Sequence, residues 1–149
     1  MDKRIVFTRA DGGLSVLGPA PRARRPDESE EAFLARIIAK DVPKDATGVR
    51  IISVSEIPAD RTFRNAWTDT GVIGHDMAKC REIVRDAIRR ARTVKLAALD
   101  VEFMRAVEAG DAAKQRDVAA RKQALRDAPA DPAIDAASTP QELKRFLSA

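Results

Sequence analysis

Cysteine is nearly absent from this chain. Cys80 stands alone, which excludes an internal disulfide and a cysteine-based zinc site. Aromatic residues make up only 4%. Much of the 44% hydrophobic content is alanine, which buries little area per residue, so a thin core is expected, with a partner or a second copy supplying further burial. No apolar run reaches the roughly 18–20 residues that a membrane helix needs. Charge lies on both sides of Ile5–Phe7 near the start, so no apolar leader segment is expected there. No phosphate-binding glycine loop, metal-ligand set or nucleophile–base pair is recognisable, and no enzyme is expected. His75 is the one histidine, and beside Asp76 it reads as a local hydrogen-bonding or solvated residue. These absences leave a soluble α+β chain built for contact, without a cofactor.

The chain has 149 residues, a net charge of +4 and 34% charged residues. That length fits one domain or a small domain with a helical extension. The basic excess is mild for a nucleic-acid module.

The first segment reads as strands and one helix. Arg4–Thr8 and Leu14–Leu17 flank the turn Ala10-Asp11-Gly12-Gly13, which predicts a β-hairpin ended by Gly18-Pro19. Arg22–Arg25 is a basic, proline-flanked loop, more simply solvated than bound. Asp27–Lys40 predicts an amphipathic helix, with Asp27 and Glu30 as a capping-box-like start and Phe33, Leu34, Ile37 and Ile38 as its apolar stripe. Val49–Val54 is the best strand. Residues 1–58 are therefore expected to form a small antiparallel sheet with one helix.

Residues 59–76 read as an aromatic and arginine-bearing linker. In Asp60–Trp67, DRTFRNAW, Phe63 and Trp67 fit a packed corner first. With Arg64 they also fit an exposed contact surface, since Trp and Arg are common interface anchors. Base stacking on a lone Trp67 is the weakest of the three readings. A small extended piece is expected around Thr70-Gly71.

Residues 77–149 are the organising feature. Met77–Ala109 lacks Gly and Pro and predicts one long helix capped by Asp76. Gly110-Asp111 breaks it, and a second helix follows to Asp127, so an antiparallel helical hairpin is expected. Met77, Cys80, Val84, Ala87, Ala91, Val94, Ala98 and Val101 form a seam in steps of three and four. Ile83, Ile88, Leu96, Leu99, Phe103 and Val107 widen the apolar surface beyond what one neighbour requires. Val118 and Leu125 give the second helix a modest stripe. Thr139, Pro140 and Glu142 signal a last, short helix that buries Leu143 and Phe146.

Arg81, Arg85, Arg89 and Arg92 recur at helical spacing, and from Lys79 to Lys95 there are seven basic residues against two acidic. Asp86 and Arg90 form a favourable i, i+4 pair that offsets part of the repulsion. A solvated, salt-bridged face is the plainest reading. An acidic protein partner comes next, and a nucleic-acid footprint through Arg81, Arg85, Arg89 and Arg92 is the alternative.

Lys122-Gln123-Ala124-Leu125-Arg126-Asp127, followed by Ala128-Pro129, resembles the end of phage tail-assembly chaperones and tail-fibre accessory proteins. The family's arginine-rich helix with its Leu…Leu-Asp element has a counterpart in Arg89, Arg92, Leu96, Leu99 and Asp100. The stretch from Asp60 to Leu147 is also similar to small proteins encoded in phages and prophages. The chain departs from the pattern at Val101 and at Ala119–Arg121, where the family carries aromatics. The resemblance implies a non-enzymatic accessory protein that binds a phage tail or tail-fibre component, in the host cytoplasm or in the virion. On that reading Phe63, Arg64, Trp67, Leu99, Phe103 and Leu125 make contact, with Arg89, Arg92 and Arg126 setting register.

Overall fold

The computed structural model describes residues 2–148. The chain is α+β and divides into two compact units, 1–76 and 77–149. The segment expected as a linker, 59–76, folds as part of the first unit.

The first unit is built on the Ile5-Val6-Phe7 run. Strands β1 (Lys3–Thr8) and β2 (Leu14–Leu17) form the expected hairpin. Strand β3 (Thr47–Ser53) pairs antiparallel on the other edge of β1, giving the order β2-β1-β3. Three consecutive apolar residues suit the central strand because both faces of the sheet are covered. Ile5 and Phe7 pack against Phe33, Leu34 and Ile37 of helix α1 (Glu30–Asp41). Val6 turns the other way, onto Ile52, Trp67 and Ile73. The β1–β3 register shifts between Val6 and Thr8, beside Gly48, whose φ of 61° favours glycine.

Helix α1 starts later than its acidic run implies. Ser29 is the N-cap, and its hydroxyl accepts from the Ala32 N–H at 3.1 Å. Glu28 instead accepts from the Arg36 guanidinium through both oxygens, each at 2.7 Å.

A second sheet closes this unit. Strands β4 (Trp67–Asp69) and β5 (Ile73–His75) pair antiparallel around the Thr70-Gly71 turn. Arg50 on β3 donates to Asp69 on β4 by two hydrogen bonds, Nε at 2.7 Å and Nη2 at 2.8 Å, which ties the two sheets together. Phe63 and Trp67 are 2% and 5% exposed, the packed-corner arrangement.

The second unit is the helical hairpin. Helix α2 (Met77–Glu108) has 32 residues and is about 48 Å long at the usual rise. It ends at Gly110, φ 65°, with the Gly110 N–H donating to the Val107 carbonyl and the Asp111 N–H to the Ala106 carbonyl. Asp111 then caps helix α3 (Ala112–Asp127) through the Lys114 N–H at 2.9 Å. A 3-10 turn at Ala128–Ala130 leads into helix α4 (Pro132–Ala136), and Thr139 caps helix α5 (Pro140–Lys144) as expected.

The α2 seam divides. Cys80 and Val84 are buried, as are Leu99 and Ala106. Val94 and Val101 are 76% and 52% exposed, so the seam does not run the helix length as one buried line. Val118, Ile134 and Leu143 complete the interior of this unit, and Phe146 is half-buried.

Candidate partner-binding surface

The arginine stripe of α2 is largely turned onto its own unit. Arg81 donates to the Ala137 carbonyl at 2.9 Å. Arg85 reaches the Pro129 carbonyl at 3.2 Å, Asp135 at 2.6 Å and Glu82 at 2.7 Å. Those carboxylates hold the Arg85 guanidinium above its ordinary pKa, Asp135 first. Arg92 donates to the carbonyls of Arg126 at 2.7 Å and Leu125 at 3.3 Å. Helix C-terminal carbonyls carry partial negative charge and lack intrahelical donors, so a guanidinium there is well placed. Arg89 makes a salt bridge with Asp86 at 2.7 Å, the partner expected for Arg90.

The nucleic-acid alternative counted on these four side chains. Three of the four guanidinium groups, those of Arg81, Arg85 and Arg92, fasten the 125–137 segment to α2. They are not a free row facing solvent. No sequence pattern gave this away, because the acceptors are backbone carbonyls and one distant Asp.

The hairpin also carries open hollows along α2 and α3. A hollow of about 540 Å³ involves Ala98, Val101, Glu102 and Ala106. One of about 470 Å³ shares Ala98 and Glu102 with it and adds Leu99, Ala124 and Leu125. A third, of about 230 Å³, shares Lys95 and Leu125 with the second and reaches Ile88, Phe146 and Leu147. The three hollows adjoin one another along α2 and α3 through these shared residues, the third reaching the C-terminal segment. Their floor is mostly alanine and leucine. Lys95, Glu102, Arg105, Lys114 and Arg121 line these hollows as well. Glu102 bridges Lys114 and Arg121, each at 3.2 Å, and these cations draw its carboxyl below the ordinary range.

Beside these hollows runs an exposed apolar line on α2. Val94, Val101 and Met104 are 76%, 52% and 56% exposed, with the exposed Ala97 between them. Their spacing of three and four keeps them on one face.

Of the expected contact residues, Leu99 and Leu125 are brought together in one of these hollows. Phe103 lies half-buried beneath Lys122, whose ammonium is 5.4 Å from the ring centre. Arg92 lines the third hollow while its guanidinium holds α3. Arg126 is exposed. Phe63 and Trp67 lie in the interior of the chain, so they are not surface anchors, and Arg64 is exposed in the first unit. Val94 and Met104 were missed as surface features, since periodicity shows that a helix has an apolar side but not which side is covered.

Among the described residues no group of three or more His, Cys, Asp or Glu could hold a metal ion, and no helix is long and apolar enough to cross a membrane. Comparison with protein-family models, curated proteins and solved structures finds no match.

Proposed function

We propose that the chain is a non-enzymatic phage accessory protein that docks on a tail or tail-fibre protein through its helical hairpin. The observation that carries this reading is the set of adjoining hollows along α2 and α3, together with the exposed apolar Val94, Val101 and Met104. Contiguous apolar surface in contact with water is unfavourable and marks interaction sites. A groove between two helices suits an amphipathic helix or an apolar strand of the partner, read through anchors every three or four residues. The charged lining residues would set its register.

The tail component is named by the resemblance of Lys122–Pro129 and of the Arg89–Asp100 element to tail-assembly chaperones. Covering an apolar segment of an unassembled subunit would delay its association until assembly. That places the protein in the host cytoplasm during assembly, with retention in the virion as the other outcome. The test is co-expression with a set of phage tail and tail-fibre genes, followed by capture on this chain. Recovery of a tail or tail-fibre protein supports the reading. Recovery of none counts against it.

A further inference from the structure

The first unit holds a second open site, independent of the hairpin. A hollow of about 890 Å³ lies on the sheet face opposite α1, between β1–β2 and the 54–65 segment. Four arginines line it, Arg4 and Arg9 from the sheet side and Arg61 and Arg64 from the facing segment, and no Asp or Glu lines it. Two acids nearby in sequence have partners of their own. Glu56 accepts from the Ser53 N–H at 2.7 Å, and Asp60 accepts from the Thr62 hydroxyl at 2.6 Å. Asp11 pairs with Arg9 at 3.2 Å and offsets that charge, and Arg4 donates to the Lys3 carbonyl at 2.8 Å.

Two of the guanidinium groups are seated by glycine. A Cβ at Gly13 would lie 2.0 Å from Arg9 Nη2, and one at Gly18 would lie 3.3 Å from Arg4 Nε. Arg9 is further fixed by donation to the Ser15 hydroxyl at 2.9 Å and the Leu14 carbonyl at 3.3 Å. Across the hollow, the side chains of Arg61 and Arg64 are exposed and make no hydrogen bond or ion pair with the described residues. Trp67 also lines the hollow, and its indole N–H is buried without an acceptor among the described residues. An unpaired buried donor is uncommon and costs the full desolvation of the group.

We propose that this hollow binds a small polyphosphate, of the size of a nucleoside triphosphate. Clustered guanidinium groups repel one another unless an anion lies between them. The guanidinium fork matches phosphate oxygens bidentately, and forks on two facing walls suit several oxyanions carried on a short scaffold. The volume lies within the range of small-molecule sites. On the neighbouring loop and helix Arg24 and Arg36 are turned onto Glu28, and Arg22 and Arg25 are exposed. The size of the hollow favours a small ligand over a long nucleic-acid strand.

Trp67 is the only tryptophan, so its fluorescence reports on the hollow directly. The full chain is titrated with inorganic triphosphate, with ATP and with a single-stranded oligonucleotide, at constant ionic strength. The expected result is a saturable fluorescence change with triphosphate or ATP. Tighter binding of ATP makes a nucleotide the ligand, and equal binding makes it the polyphosphate alone. The double variant R61Q/R64Q should weaken binding by about tenfold or more, with unchanged circular dichroism because neither side chain holds the fold. Three results would overturn the proposal. They are a change no larger than that from sodium chloride, full affinity in the double variant, or affinity only for the oligonucleotide.

Discussion

Glu28 shows how one charged pair links pH to folding. Both of its oxygens accept from Arg36, and this bonding, with lesser help from the Arg25 N–H, lowers its pKa from 4.5 to about 2. A carboxylate whose pKa is lower in the folded state adds stability above its unfolded pKa. That stability is lost as pH falls from about 4.5 to about 2. Glu28→Gln should therefore be less stable than wild type at pH 6, and the gap should narrow at pH 3, measured by urea unfolding at both values. A gap that stays constant would mean that the pair does not shift the titration. Asp69 is held below its ordinary pKa in the same direction, chiefly by Arg50 and secondarily by the Gly71 N–H. Its side chain is 6% exposed, so Asp69→Asn should cost about 1–3 kcal/mol in denaturant unfolding by weakening two charge-assisted hydrogen bonds. Neither pair was legible in the sequence. Eight residues separate Glu28 from Arg36 and nineteen separate Arg50 from Asp69, and only the folded chain brings them together.

Helix limits were legible wherever a cap residue had no competitor. Asp111 and Thr139 cap α3 and α5 as their spacing implies. Asp27 did not cap α1, because Ser29 does so two residues later and Glu28 is engaged with Arg36. Helix α4 gave no such signal in advance: Asp131 is its N-cap and Pro132 its first residue, where proline gives up no hydrogen bond. The arginines of α2 matter at this scale as cross-braces. Arg92→Ala removes donors from the last carbonyls of α3 and should lower stability by about 1–2 kcal/mol. Amide exchange should quicken first over residues 122–130, while the sheet of the first unit keeps its protection. Uniform loss of protection in both units would contradict the brace.

For the whole molecule, the α+β layout and the helical hairpin were readable from periodicity and from glycine and proline punctuation. Of the residues expected to make contact, burial was only partly readable. Leu99 and Leu125 were expected to make contact and do line a hollow of the hairpin, whereas Phe63 and Trp67 are interior. An aromatic beside an arginine is the same local pattern in a packed corner and in an interface, and only burial tells them apart. The reverse held for Val94 and Val101, which fit a buried seam and face outward. A hairpin rich in alanine leaves apolar surface beyond what its own helices cover, and the docking reading rests on that remainder. Because Val101 and Met104 are more than half exposed, charging them should change the melting temperature little.

The most direct measurement compares wild type with Val101→Glu/Met104→Glu in capture from cells co-expressing a set of phage tail and tail-fibre genes. The expected result is recovery of a tail or tail-fibre protein with wild type, and its loss with the double variant at unchanged melting temperature. Equal recovery with both proteins would place the contact elsewhere, and recovery of no tail protein with wild type would contradict the proposed function.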